Sequence, residues 1–146
     1  MVKGYGRYAD AYKKAAVATT DQAKLIVMLY DGAIKFLTFA VDRMEKRDTF
    51  GVNTNLIKAK SIIAELMASL NLDKGGDIAA NLQRLYTYMF NQLVDANVAK
   101  DQGKVHHVIE LLRDLRSGWQ GISVAGKAEP SEAQPQGTVK KVNLKG

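Results

Sequence analysis

Apolar residues recur every three or four positions along four long segments of the chain, which is the period of an amphipathic α-helix. Glycines at Gly51, Gly75–Gly76 and Gly103 separate these segments, and both prolines lie in the last seventeen residues. No segment alternates polar and apolar residues over the length of a strand. The pattern predicts an all-α fold in which residues 19–123 form an antiparallel four-helix bundle with short connections.

Each predicted helix has one apolar stripe that we expect to face the core. The four stripes are Leu25, Leu29, Ala33, Phe36, Ala40 and Met44; Leu56, Ala59, Ile63, Leu66 and Leu70; Ile78, Leu82, Leu85, Met89, Leu93 and Ala96; and Val105, Val108, Leu112, Leu115, Trp119 and Ile122. Thr19 and Gln22 have the spacing of a capping box, so the first helix is predicted to begin near Thr19. Trp119 follows Leu115 by one helical step, which predicts a core position.

The two ends of the chain differ from the predicted bundle. In residues 1–18, Tyr5, Tyr8 and Tyr12 share one face if the segment is helical, so we expect a short amphipathic arm. Residues 124–146 are rich in Gly, Pro, Ser, Gln, Ala and Lys and lack aromatic residues, a composition typical of a disordered tail.

Two of the predicted helices contain more large apolar residues than a single buried stripe needs. The surplus residues are Met28, Tyr30 and Ile34 in the first helix and Tyr86 and Phe90 in the third. Two arrangements account for them: a thicker core covered by the N-terminal arm, or a groove that binds an amphipathic helix of another protein. Met28 suits such a groove because its flexible thioether adapts to varied partners.

The net charge of +6 raises the question of nucleic-acid binding. Most of the excess lies at the chain ends, because residues 19–123 hold 13 basic and 12 acidic residues. A phosphate-binding surface would carry a basic stripe on the folded body, so the charge distribution disfavours this second hypothesis. The longest uninterrupted apolar run, Leu25–Tyr30, is far shorter than the ~20 residues of a spanning helix. We therefore expect no membrane insertion and a cytoplasmic location.

Residue types that support catalysis or metal binding are scarce. The chain has no cysteine, and its only histidines are the neighbours His106 and His107. Adjacent positions of a helix point about 100° apart, so these two imidazoles cannot converge on one metal ion. We expect no enzymatic activity, no metal and no cofactor. A helical-bundle enzyme or metal protein is the third hypothesis, and a metal assay would distinguish it from the other two.

Five short motifs follow one another in a fixed order over residues 8–122. They are Tyr12-Lys13; Leu29-Tyr30-Asp31-Gly32-Ala33-Ile34-Lys35-Phe36-Leu37; Leu66-Met67-Ala68-Ser69-Leu70-Asn71 before Gly75-Gly76; Asn81-Leu82 followed by Leu85-Tyr86-Thr87-Tyr88-Met89; and Leu111-Leu112-Arg113-Asp114-Leu115-Arg116 before Trp119. Each motif alone is a common helix pattern. In their order and spacing they resemble the FliS-type flagellar secretion chaperones.

The resemblance implies an antiparallel helical bundle without a cofactor or enzymatic activity. It further implies that the protein binds the disordered C-terminal segment of flagellin in the cytoplasm, prevents premature polymerisation, and helps to deliver the subunit to the flagellar type III export gate. We expect the five surplus residues to line the flagellin groove. Tyr5, Tyr8 and Tyr12 are expected to form a lid over the empty groove, unless they contact flagellin or the export gate directly.

Overall fold

The computed structural model describes the backbone of residues 20–128 and the side chains of residues 23–119. Within that range the chain forms four α-helices, α1 (Thr20–Glu45), α2 (Thr49–Ala68), α3 (Leu72–Ala99) and α4 (Gln102–Ala128). Two or three residues connect consecutive helices, so neighbours in the sequence run antiparallel. Each helix packs against its neighbours in the sequence, and α4 also packs against α1 and closes the bundle. The predicted all-α, antiparallel four-helix bundle is confirmed.

In every helix a row of buried side chains is spaced alternately three and four residues apart, as in helices that pack nearly parallel, and Val41 and Ile109 are buried beside these rows. The rows of α2, α3 and α4 are Val52, Leu56, Ala59, Ile63 and Leu66; Ala79, Leu82, Tyr86, Met89, Leu93 and Ala96; and Val105, Val108, Leu112, Leu115 and Trp119. Trp119 is buried as predicted, and its indole N–H donates to the carbonyl oxygen of Ala23 at 2.7 Å. This bond ties α4 to the start of α1.

The buried row of α1 shares Ala33, Ala40 and Met44 with the predicted stripe and differs from it at the other three positions. It consists of Ala23, Ile26, Tyr30, Ala33, Leu37, Ala40 and Met44. Leu25 is instead exposed, and Leu29 and Phe36 are half-buried. Both rows are apolar and both repeat every three or four residues, so the period alone does not distinguish them. Packing against the neighbouring helices selects the row that contains Ile26 and Leu37.

The turns between helices do not lie at the glycines that were predicted to mark them. Gly51 and Gly103 lie in the first turns of α2 and α4, and residues with left-handed backbones, Arg47 (φ 57°) and Lys100 (φ 53°), end α1 and α3. Among the glycines of residues 20–128, only Gly76 has a positive φ, 59°, and it kinks α3 one turn after the start of that helix.

Two parts of the predicted organisation fall at the limits of the described chain. Helix α1 begins at Thr20 and α4 ends at Ala128, which are also the first and last residues with a described backbone. Residues 124–128 of the predicted tail are therefore helical, and the start predicted near Thr19 stays a prediction. Residues 1–19 and 129–146, which include the predicted lid residues and most of the predicted tail, lie outside the described residues. None of the four described helices is both long enough and apolar enough to cross a membrane.

Candidate functional site

Two of the five predicted groove residues, Tyr30 and Tyr86, face each other inside the bundle. Their side chains are 1% and 0% exposed, and their hydroxyl oxygens are hydrogen-bonded to each other at 2.7 Å. Both residues belong to the buried rows of their helices, because the true core stripe of α1 passes through Tyr30 and that of α3 through Tyr86. In α3 the prediction was wrong at Ile78 and Leu85, which are only partly buried, whereas their neighbours Ala79 and Tyr86 are buried. The chain alone therefore does not present these two tyrosines on a surface, in contrast to the sequence-based expectation.

An apolar surface spans the groove between α1 and α2 and the adjoining outer face of α1. Its members, here called the α1–α2 surface, are Leu25, Met28, Leu29, Phe36, Phe39 and Ile62. Gly32 lies in the same row of α1 and packs closely on α2, since a Cβ atom at Gly32 would lie 3.2 Å from Cδ1 of Ile62. Met28 is 65% exposed, and Leu25 and Phe39 are each close to half exposed. The predicted site residue Met28 is therefore on this surface.

A second, smaller apolar surface lies on the other side of α2. It consists of Ile57, Met67, Phe90 and Val94 and is called the α2–α3 surface below. The hydroxyl of Thr87 donates to the sulfur of Met67 at 3.6 Å, and Lys60 Nζ lies 5.7 Å from the ring centroid of Phe90. These contacts place the half-buried ring of Phe90 beside α2. Phe90, another predicted site residue, is thus separated from Met28 by the width of α2.

Ile34 lies on the opposite flank of α1, beside α4. It lines a shallow cleft of about 400 Å³ together with Asp31, Arg113, Arg116 and Ser117. The guanidinium of Arg116 donates to the carboxylate of Asp31 and joins α4 to α1 at this cleft. The structure therefore distributes the three exposed or half-buried predicted residues over three sides of the bundle and does not bring them together.

Sequence reasoning missed several residues that form the two apolar surfaces. Leu25 and Phe36 were assigned to the core, and Phe39, Ile57 and Val94 were not assigned to any site. The signal that could have identified Leu25, Phe36 and Phe39 is a second apolar row in α1, parallel to the buried one. A helix in a four-helix bundle buries one stripe, so two parallel apolar rows indicate that one of them faces outward.

Titratable groups with shifted pKa values lie at the turn between α1 and α2, away from both surfaces. A hydrogen bond from Arg43 lowers the pKa of Asp42, and the backbone N–H of Gly51 lowers the pKa of Asp48. Arg43 contacts both carboxylates, at 2.6 Å and 3.3 Å. These groups hold the turn in place. Among the side chains of residues 23–119, no cluster of three or more is able to hold a metal ion.

A family model and the relatives named below all point to the same protein family. The family described as Flagellar protein FliS matches residues 4–126. The flagellar secretion chaperone FliS of Bacillus subtilis (strain 168) is 36% identical over 110 residues, which cover 75% of this chain and 81% of the relative. FliS of Salmonella typhimurium is 37% identical over 121 residues, 82% of this chain and 90% of the relative. FliSB of Pseudomonas aeruginosa is 34% identical over 122 residues, 84% of this chain and 97% of the relative. With its family match over most of its length and a four-helix bundle for a fold, the chain belongs to the FliS family.

Proposed function

We propose that this protein is a flagellar secretion chaperone that binds the C-terminal segment of flagellin in the cytoplasm. Its membership of the FliS family and the names of its relatives support the general role. The structural observation that carries the proposal is the α1–α2 surface, where Leu25, Met28 and Phe39 expose large apolar side chains along α1. Apolar patches of this kind mark binding sites on soluble proteins and suit an amphipathic helix.

The arrangement of the two surfaces suggests how a disordered client segment is covered. Both surfaces border α2, so a segment that crosses α2 packs apolar side chains on Phe36 on one side and on Phe90 on the other. Such wrapping uses many weak contacts, and ordering the segment costs a few kcal/mol of the gross interaction energy. Covered in this way, the client's apolar faces are unavailable for premature polymerisation. Release then requires only that the client exchanges its contacts with the chaperone for contacts with the export gate, without catalysis by the chaperone.

Calorimetry with a flagellin C-terminal peptide tests the proposal. The double variant Met28→Ser/Phe39→Ser should bind the peptide about tenfold more weakly than the unchanged protein, because it removes two exposed apolar contacts. Val98→Ser is the matched control, since Val98 is 84% exposed on α3 and belongs to neither surface. Its affinity should not change. Absence of binding by the unchanged protein, or equal affinities for all three proteins, would contradict the proposed function.

A further inference from the structure

Two lysine ammonium groups from different helices converge on one aromatic ring of the α1–α2 surface. Lys35 Nζ lies 5.0 Å from the ring centroid of Phe36, and Lys58 Nζ of α2 lies 5.3 Å from the same centroid. The two nitrogens are therefore no more than about 10 Å apart, which is comparable to a Debye length at 0.1 M salt, so they repel each other in the free protein.

Neither ammonium has a carboxylate partner within the described part of the chain. No ion pair joins Lys35 or Lys58 to an acidic side chain of that range. Helical neighbours do not supply one either. Asp31, four residues before Lys35, is engaged by Arg116, and the positions three and four residues from Lys58 are Thr, Asn, Ser and Ile. Two adjacent positive charges are thus left uncompensated on the proposed binding surface.

The same combination of lysine and aromatic ring occurs on the other side of α2. Lys60 Nζ lies 5.7 Å from the ring of Phe90, and no carboxylate of the described residues pairs with it. Glu65 is the only acidic residue of α2, two turns from Lys58. The face over which a client would cross is therefore basic, although the folded body as a whole is nearly neutral.

We propose that Lys35 and Lys58 bind a carboxylate side chain of the client, next to an apolar client residue that packs on Phe36. This inference rests on the proposed function and specifies the chemistry of the segment that is bound. A purely apolar segment laid over Phe36 would remove water from two unpaired ammonium groups, which is unfavourable. An acidic side chain at that point attracts both ammonium groups and offsets one of their two charges, whereas a basic one is repelled, so the site also contributes specificity.

The test measures the affinity of a flagellin C-terminal peptide for three proteins. In the double variant Lys35→Gln/Lys58→Gln, we expect binding about three- to tenfold weaker than in the unchanged protein. Lys24→Gln is the matched control, because Lys24 is exposed on the same face of α1 three turns before Lys35 and lies on no described aromatic ring. Its affinity should not change. All three side chains are exposed, and unchanged melting temperatures would show that the variants fold normally.

A second peptide, in which every Asp and Glu is replaced by Asn and Gln, completes a double-mutant cycle. It should bind the unchanged protein more weakly than the acidic peptide does, and it should not distinguish the unchanged protein from the double variant. The proposal is overturned if the double variant binds the acidic peptide as tightly as the unchanged protein does, or if Lys24→Gln weakens binding by the same factor. It is also overturned if the neutral peptide binds the double variant more weakly than the unchanged protein.

A model amphipathic peptide of Leu and Glu, and its Leu and Gln counterpart, separate this inference from the proposed function. In one outcome the flagellin peptide does not bind, the Leu–Glu peptide binds more tightly than the Leu–Gln peptide, and the double variant binds the two model peptides equally. That outcome would contradict the proposed function and support the carboxylate site. If neither acidic peptide binds, or if both model peptides bind equally, the carboxylate site is overturned.

Discussion

At the scale of single residues, the contact between Tyr30 and Tyr86 is a hydrogen bond between two side chains inside a largely apolar core. Their hydroxyl groups join α1 to α3, two helices that lie diagonally across the bundle. A buried hydroxyl that loses its partner costs free energy, since water does not replace the lost bond. The pair therefore favours one relative position of α1 and α3, in addition to the area that the two rings bury.

A double-mutant cycle on this pair tests its energetic contribution. We expect Tyr30→Phe and Tyr86→Phe each to lower the free energy of unfolding by about 1 kcal/mol, because each leaves the other hydroxyl without this partner. The double variant should lose less than the sum of the two, since it removes both hydroxyls together. Urea denaturation measures the three values. Strictly additive losses would mean that the observed contact between the hydroxyls contributes nothing to stability.

At the scale of the helices, charged side chains hold the turn between α1 and α2 in place. Asp48 caps α2 by accepting a hydrogen bond from the N–H of Gly51 at 2.9 Å, and Arg43 bridges Asp48 and Asp42. Gly51 makes this arrangement possible, because a Cβ atom there would lie 2.5 Å from Oδ2 of Asp48 and 2.6 Å from Cδ of Arg43. The glycine was predicted to be a break between helices, and its actual role is to admit the capping side chains.

These contacts predict that stability decreases in acid. The pKa values of Asp42 and Asp48 are lowered in the folded chain, so both carboxylates bind protons less readily than in the unfolded chain. Their contribution is fully present above about pH 4, where unfolded aspartates ionise, and is lost as the pH falls through the folded values. Urea denaturation at pH 6 and pH 3 should show the decrease. Asp48→Asn keeps a capping oxygen but has no carboxylate to protonate, so its free energy of unfolding should decrease less between the two pH values. An equal decrease would mean that other groups cause the loss of stability in acid.

The helices also differ in how well their buried faces could be predicted. In α4 the stripe through Leu112 and Trp119 is correct, because charged residues such as Arg113 and Asp114 occupy the remaining directions and leave a single apolar face. In α1 the residues from Leu25 to Tyr30 are all apolar, so two neighbouring rows fit the same period. The choice between them depends on which row meets the other helices, and no local pattern contains that information. The error in α1 also displaced the predicted site, because Tyr30 was assigned to the surface and Leu25 to the core.

At the scale of the whole molecule, the N-terminal arm is predicted to act as a lid over the proposed binding surface. Tyr5, Tyr8 and Tyr12 lie outside the described residues, and the arm joins the chain directly before α1, the helix that carries most of the α1–α2 surface. If the arm covers part of this surface, only the uncovered fraction of molecules binds the client. The apparent dissociation constant is then the intrinsic constant divided by that fraction.

Deletion of residues 2–14 should therefore tighten binding of the flagellin peptide and lower the solubility of the free protein, because the apolar surface is left open to water. Peptide affinities of the full-length and shortened chains, measured side by side, decide the matter. Weaker binding by the shortened chain would show that the arm contributes contacts to the client and does not act as a lid.

For the whole molecule, we propose that apolar surfaces of a nearly neutral bundle bind a flagellin segment. Isothermal titration calorimetry with the flagellin C-terminal peptide at 50 mM and 500 mM salt tests it most directly. We predict one peptide per chain and an affinity that falls less than about tenfold between the two conditions, since only a few lysines contact the client. Absence of binding, or a loss of about a thousandfold or more as for proteins that bind nucleic-acid phosphates, would contradict an apolar binding surface.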